Sequence, residues 1–60
     1  MWLITYTDND HGLHNDTTEL DPIAWRHKKI QDGVEYRLKN KHIFGNSSAP
    51  TVVVTFAIKL

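Results

Sequence analysis

No cysteine occurs among the 60 residues, which excludes a disulfide framework, a thiolate metal site and a thiol nucleophile and makes a reducing compartment the default setting. Neither sign of charge is in excess, because seven Lys and Arg offset seven Asp and Glu, so the basic balance of a typical nucleic-acid binder is absent. No apolar run approaches the roughly 20 residues that span a bilayer. The opening segment, Met1 to Thr7, carries neither a basic leader nor a small-residue cleavage site. A cytoplasmic chain without membrane contact is the expectation. Glycine and proline are scarce, at three and two residues, and no linker, repeat or low-complexity tract divides the chain, so residues 1–60 are expected to form one domain. A chain of this length buries only about 60 % of the surface its unfolded form exposes. One small core and no internal cofactor cavity are therefore expected.

What is present is patterned. Over Thr51 to Leu60, Val52, Val54, Phe56, Ile58 and Leu60 alternate with Thr51, Val53, Thr55, Ala57 and Lys59, the period of a β-strand with one large apolar face. Val34, Tyr36 and Leu38 alternate with Glu35, Arg37, Lys39 and Lys41 before a Gly, Asn, Ser and Pro loop at Gly45 to Pro50. The run from Val34 to Phe44 reads as a second strand, antiparallel to the last. Trp2 to Thr7 is β-branched and aromatic, and Asp8-Asn9-Asp10-His11-Gly12 supplies the side-chain acceptors and the glycine of a hairpin loop. Residues 13–20 return as a polar edge strand or run as a plain loop.

Between these runs, Asp21 is placed to cap a helix whose first position is Pro22, and Gly33 to end it in a left-handed cap, which predicts a helix over 22–31. The expected fold is α+β, a small two-layer domain with an antiparallel sheet of three or four strands and one helix packed on it, ordered ββαββ or βαββ. Its expected core is Ile4, Ile23, Ile30, Tyr36, Leu38, Val52, Val54, Phe56 and Ile58.

Catalysis finds little support. Histidines, acids and hydroxyls are present, but no nucleophile turn or phosphate-binding glycine loop accompanies them, and so small a fold offers no water-excluding pocket. A non-enzymatic chain is expected. Asp8, Asp10, His11, His14 and Asp16 include ligand types that metals accept. Their spacing is poor for calcium, since Gly12 falls at the fifth position, where an acid is required. A solvated hairpin loop with no metal is the preferred reading.

Candidate binding residues come from charge and aromatics. Residues 1–21 hold five acids and no base, whereas residues 22–42 hold six bases against Asp32 and Glu35, so neutrality conceals a dipole. On the expected helix, Trp25 falls beside Lys28 and Lys29 rather than with Ile23 and Ile30, where an exposed indole would anchor a protein partner. The competing reading is structural: with Asp21 as N-cap, Leu20 and Trp25 take the positions of a hydrophobic staple. Arg37, Lys39 and Lys41 would line one solvent face of their strand, suited to phosphates. The favoured function is a small protein-binding module, an accessory regulator or inhibitor of a larger protein, using Trp25, Lys28, Lys29, Arg37, Lys39 and Lys41. Nucleic-acid binding through the basic strand face is the alternative. A homodimer through an open sheet edge is the further partner expectation.

Overall fold

The computed structural model describes residues 1–44 and 50–60. Within them a three-stranded antiparallel sheet carries one long helix on one face. The elements run β1 (Trp2–Thr7), β2 (Leu13–Thr18), α1 (Pro22–Lys39), α2 (Lys41–Phe44) and β3 (Val53–Lys59), with strand order β2-β1-β3. The α+β class and the antiparallel sheet of three strands agree with the sequence. The fourth strand is replaced by helix: residues 34–39 continue α1, and β3 pairs with β1 instead. The loop expected at Gly45 to Pro50 lies outside the described residues except for Pro50.

The helix begins where the sequence places it. Asp21 is extended, its carboxylate accepts the Ala24 N–H at 2.8 Å, and Pro22 occupies the first turn, where its missing N–H costs nothing. It does not stop at Gly33. A nucleated helix adds a hydrogen bond per residue, which outweighs the roughly 1 kcal/mol that one glycine costs. Glu35, Arg37, Leu38 and Lys39 are good helix formers, so their alternation with apolar neighbours loses to helix propagation. Gly33 serves close packing rather than termination, since a Cβ there would stand 3.1 Å from Pro50. The C-cap is Asn40, whose N–H donates to the Tyr36 and Arg37 carbonyls while its side-chain amide donates to the Tyr36 carbonyl.

The core between α1 and the sheet is small: Ile4, Tyr6, Trp25 and Val52 are buried, with Trp2, Ile30, Val54 and Ala57 packed against them. Of the expected core, Ile4 and Val52 are buried and Ile30 and Val54 partly so, but Ile23, Tyr36, Leu38, Phe56 and Ile58 are exposed. Tyr36 and Leu38 are both exposed, and on a helix they point about 200° apart, so they cannot share a core-facing side as they would on a strand. Phe56 and Ile58 are displaced by a β-bulge. Thr5 pairs with Phe56 and Tyr6 with Val54, leaving Thr55 unpaired, with its hydroxyl donating to the Thr5 carbonyl at 3.1 Å. The extra residue reverses the phase of the strand, so Val52, Val54 and Ala57 face α1 while Val53, Phe56 and Ile58 face the other way.

Deletion of Thr55 tests this phase. Removing the unpaired residue leaves Val54 opposite Tyr6 and Phe56 opposite Thr5, so the fold should persist with a loss of only about 1 kcal/mol for the missing hydrogen bond. Thermal unfolding followed by circular dichroism should show a retained cooperative transition. If Phe56 and Ile58 belonged to the core instead, the deletion would turn both outward and abolish that transition.

Candidate protein interface

A sheet with one covering helix has one covered face, and register determines what the other presents. Opposite the helix, the rows across β2, β1 and β3 are Thr17, Leu3 and Ile58; Asn15, Thr5 and Phe56; and Leu13, Thr7 and Val53. None of these nine residues is acidic, basic or histidine. Met1 and Leu60 extend the face by one row, joined by the Leu60 N–H donating to the Met1 carbonyl at 2.9 Å. Leu13 is 71 % exposed and Phe56 55 %, and Met1, Val53, Ile58 and Leu60 are also exposed. Among the polar groups of this face, the Thr5 hydroxyl donates to Asn15 Oδ1 at 2.8 Å. Across its three rows this surface is uncharged, with five apolar residues set among three threonines and Asn15.

The residues singled out by charge and aromaticity lie elsewhere. Trp25 is only 5 % exposed, so the expectation of an exposed anchor is corrected: its ring packs 4.8 Å from that of Tyr6. It shares the lining of a depression of about 230 Å³ with Leu20, as the staple reading requires of neighbours, and with Lys28 and Lys29. Lys28 pairs with Asp32 at 3.0 Å on the solvent side, and Lys29 Nζ lies 5.3 Å from the Tyr6 ring centroid. The basic strand face does not form, because Arg37 and Lys39 stand on a helix, about 200° apart, and Lys41 follows the cap in α2. Arg37 turns inward to a pocket of about 360 Å³ beside Asn9, Gly33 and Val52, where its Nη1 is buried with no hydrogen-bond partner.

The hairpin loop gathers Asp8, Asp10 and His14. His14 Nε2 lies 3.4 Å from an Asp8 carboxylate oxygen and 3.2 Å from Asp10 Oδ1, and the three candidate ligand atoms fall within 4.8 Å of one another. These are the described residues that could converge on a metal ion. The same contacts also build the turn: the Asp10 N–H donates to Asp8 Oδ1 and the Gly12 N–H to Asp10 Oδ1. The turn requires His11 in the left-handed region, at φ 61°, beside the conformationally free Gly12. Asn9 then ties the loop to the start of β3 by accepting the Thr51 N–H at 2.8 Å.

Hydrogen bonding with the Asp8 carboxyl, then the Gly12 N–H and His14, lowers Asp10 from 3.8 to about 2. The Asp10 hydrogen bond raises His14 above 6.5 against the opposing effect of desolvation. The two contributions to stability have opposite pH limits. That of Asp10 is present above 3.8 and lost as pH falls toward about 2; that of His14 is present below 6.5 and lost as pH rises through its raised value. The loop should therefore be tightest between those limits. Proton NMR titration of the His14 ring should give a midpoint above 6.5 that falls toward 6.5 in Asp10→Asn; an unchanged midpoint would remove Asp10 as the cause.

Phe56, Ile58, Val53, Leu3 and Leu13 were not among the candidate residues in the sequence. A counting argument could have found them: one amphipathic helix covers only one face, so a sheet with apolar residues at both parities must leave some uncovered. Among the described residues, no helix is long and apolar enough to cross a membrane. No protein-family model, curated protein or solved structure matches this chain.

Proposed function

We propose that the chain is a small, non-enzymatic, cytoplasmic protein-binding module that makes its contact through the uncovered face of its sheet. The observation that carries this reading is the uncharged, largely apolar surface formed by Leu3, Leu13, Val53, Phe56 and Ile58 on three adjacent strands. Folded monomers rarely leave contiguous apolar patches larger than a few hundred Å² in water, and such patches mark interaction sites. A flat apolar surface rather than a pocket suits contact with another protein chain. The nucleic-acid alternative lacks comparable support, because its basic residues are distributed around α1 and into α2 instead of along one face.

The test compares wild type and Phe56→Asp as immobilised baits in nuclease-treated lysate, with both baits first shown to be folded. A protein retained by wild type and lost from Phe56→Asp is the expected result. Retention of nucleic acid alone, equal on both baits and lost on nuclease treatment, would replace this reading with the alternative.

A further inference from the structure

We infer that the uncovered sheet face is occupied by a second copy of this chain, the two sheets packing face to face about a two-fold axis that lies between them. The inference rests on the reading of this face as the contact surface and adds the identity of the partner. Three observations select a second copy over an unrelated protein.

The first is charge. In an isologous contact each group meets the same surface of its copy, so any charge near the axis faces its own kind. The nine residues of the three rows carry none, although 23 % of the chain is charged. A surface evolved for one particular foreign partner usually bears charges that set orientation and reject competitors. This face is instead uncharged, with Leu3, Leu13, Val53, Phe56 and Ile58 set among three threonines and Asn15, and so meets a copy of itself without like-charge contacts. The Thr5 hydroxyl is already bonded to Asn15 and the Thr55 hydroxyl to the Thr5 carbonyl. Those groups can enter a dry interface without a polar partner from the other chain.

Area supplies the second observation. On the uncovered face Leu13, Val53, Phe56 and Ile58 stay 71, 49, 55 and 41 % exposed in the single chain. They are the apolar surface that this chain can contribute to a standard interface, which takes about 800 Å² from each partner. Sheets pack about 10 Å apart with their strand directions nearly aligned, a geometry that would interleave Phe56 and Ile58 with their counterparts.

The third observation is need. Only Ile4, Tyr6, Trp25 and Val52 are buried among the described residues, a core too small to leave the opposite face in water at little cost. Covering the face would add buried apolar area that the single chain does not supply. A second copy is the partner that is always present.

The experiment is sedimentation equilibrium on the full chain from low to several hundred micromolar, with Phe56→Asp, Leu13→Lys and Leu38→Asp in parallel. Wild type should sediment as two chains of 6.9 kDa each, with a melting temperature that rises with concentration. Phe56→Asp should weaken the dimer by at least about 30-fold, as expected of a central interface residue. Leu38→Asp, at an exposed helix position off the face, should not weaken it. Leu13→Lys keeps the test decisive if Phe56→Asp fails to fold, because Leu13 is mostly outside its own chain's packing and a lysine there faces the partner sheet.

A folded wild type that remains one chain at every concentration overturns the second copy. If that monomer still retains a protein that Phe56→Asp loses, the contact face stands and only its occupant is wrong; if it retains none, both readings fall. A dimer that survives both face substitutions but dissociates with Leu38→Asp also overturns the inference, by moving the interface to the helix.

Discussion

Trp25→Ala is expected to unfold the chain. Trp25 is the helix's buried residue and shares the core with Ile4, Tyr6 and Val52, so its truncation removes the main apolar contact between helix and sheet. Truncating a buried Trp or Phe costs about 3–5 kcal/mol. A chain of this length has a net stability of roughly 3–9 kcal/mol at the usual value per residue, so the loss is comparable to the whole. Lys29, whose ammonium lies over the Tyr6 ring, is too polar at its tip to fill the space. Far-UV circular dichroism should show little residual helix and no cooperative melt, while Trp25→Phe should retain both. A folded Trp25→Ala that lost only partner binding would restore the indole as an external anchor and reduce its role in the core.

That expectation reverses the one drawn from helix periodicity, and the reason is specific. Trp25 looked solvent-facing because the assumed helix ended near Gly33 and its apolar stripe was taken as Ile23 and Ile30. In the structure Trp25 is in the core with Ile30 packed against it, Lys29 lies over the Tyr6 ring, and the Arg26 Nε donates to the Val52 carbonyl at 3.0 Å. Two basic residues therefore fall on the side that packing uses, their aliphatic stems covering apolar surface. Periodicity cannot reveal this, since it scores a side chain by its charged end.

Signals made by neighbouring residues were legible. Asp21 and Pro22 start the helix and Asp8 to Gly12 turn the first hairpin, each through local hydrogen bonding that the residues themselves supply. Residues 13–20 fitted an edge strand or a loop, and pairing with β1 makes Leu13–Thr18 the strand. The features that escaped depend on more distant residues. Residues 34–39 fit either period and follow the helix already nucleated at Asp21, while the face presented by Phe56 was decided by one unpaired threonine in the pairing of β3 with β1. The candidate site suffered most, because it is defined by what covers the sheet and what does not. No local pattern encodes that.

Ile4→Ala should cost about 2–5 kcal/mol, and comparison with Phe56→Ala separates the two faces. Ile4 is fully buried on the central strand, opposite Ala57 on β3 and Asp16 on β2. The alanine beside it cannot expand into the cavity, so the site collapses poorly and the cost should lie in the upper half of that range. Phe56 occupies the adjacent row on the opposite face. In a single chain its exposed ring contributes little, and truncation should change stability by no more than about 0.5 kcal/mol, as at other surface positions. In a two-chain sandwich the same ring is buried, and its truncation acts through the association equilibrium. Chemical denaturation across protein concentrations distinguishes these cases. Ile4→Ala should lower the midpoint at every concentration, because its cavity is present in one chain or two. The cost of Phe56→Ala should instead grow with concentration, appearing only where wild type is paired; a constant cost would place that ring in the single chain's own core and return the strand to the simple alternation of its sequence.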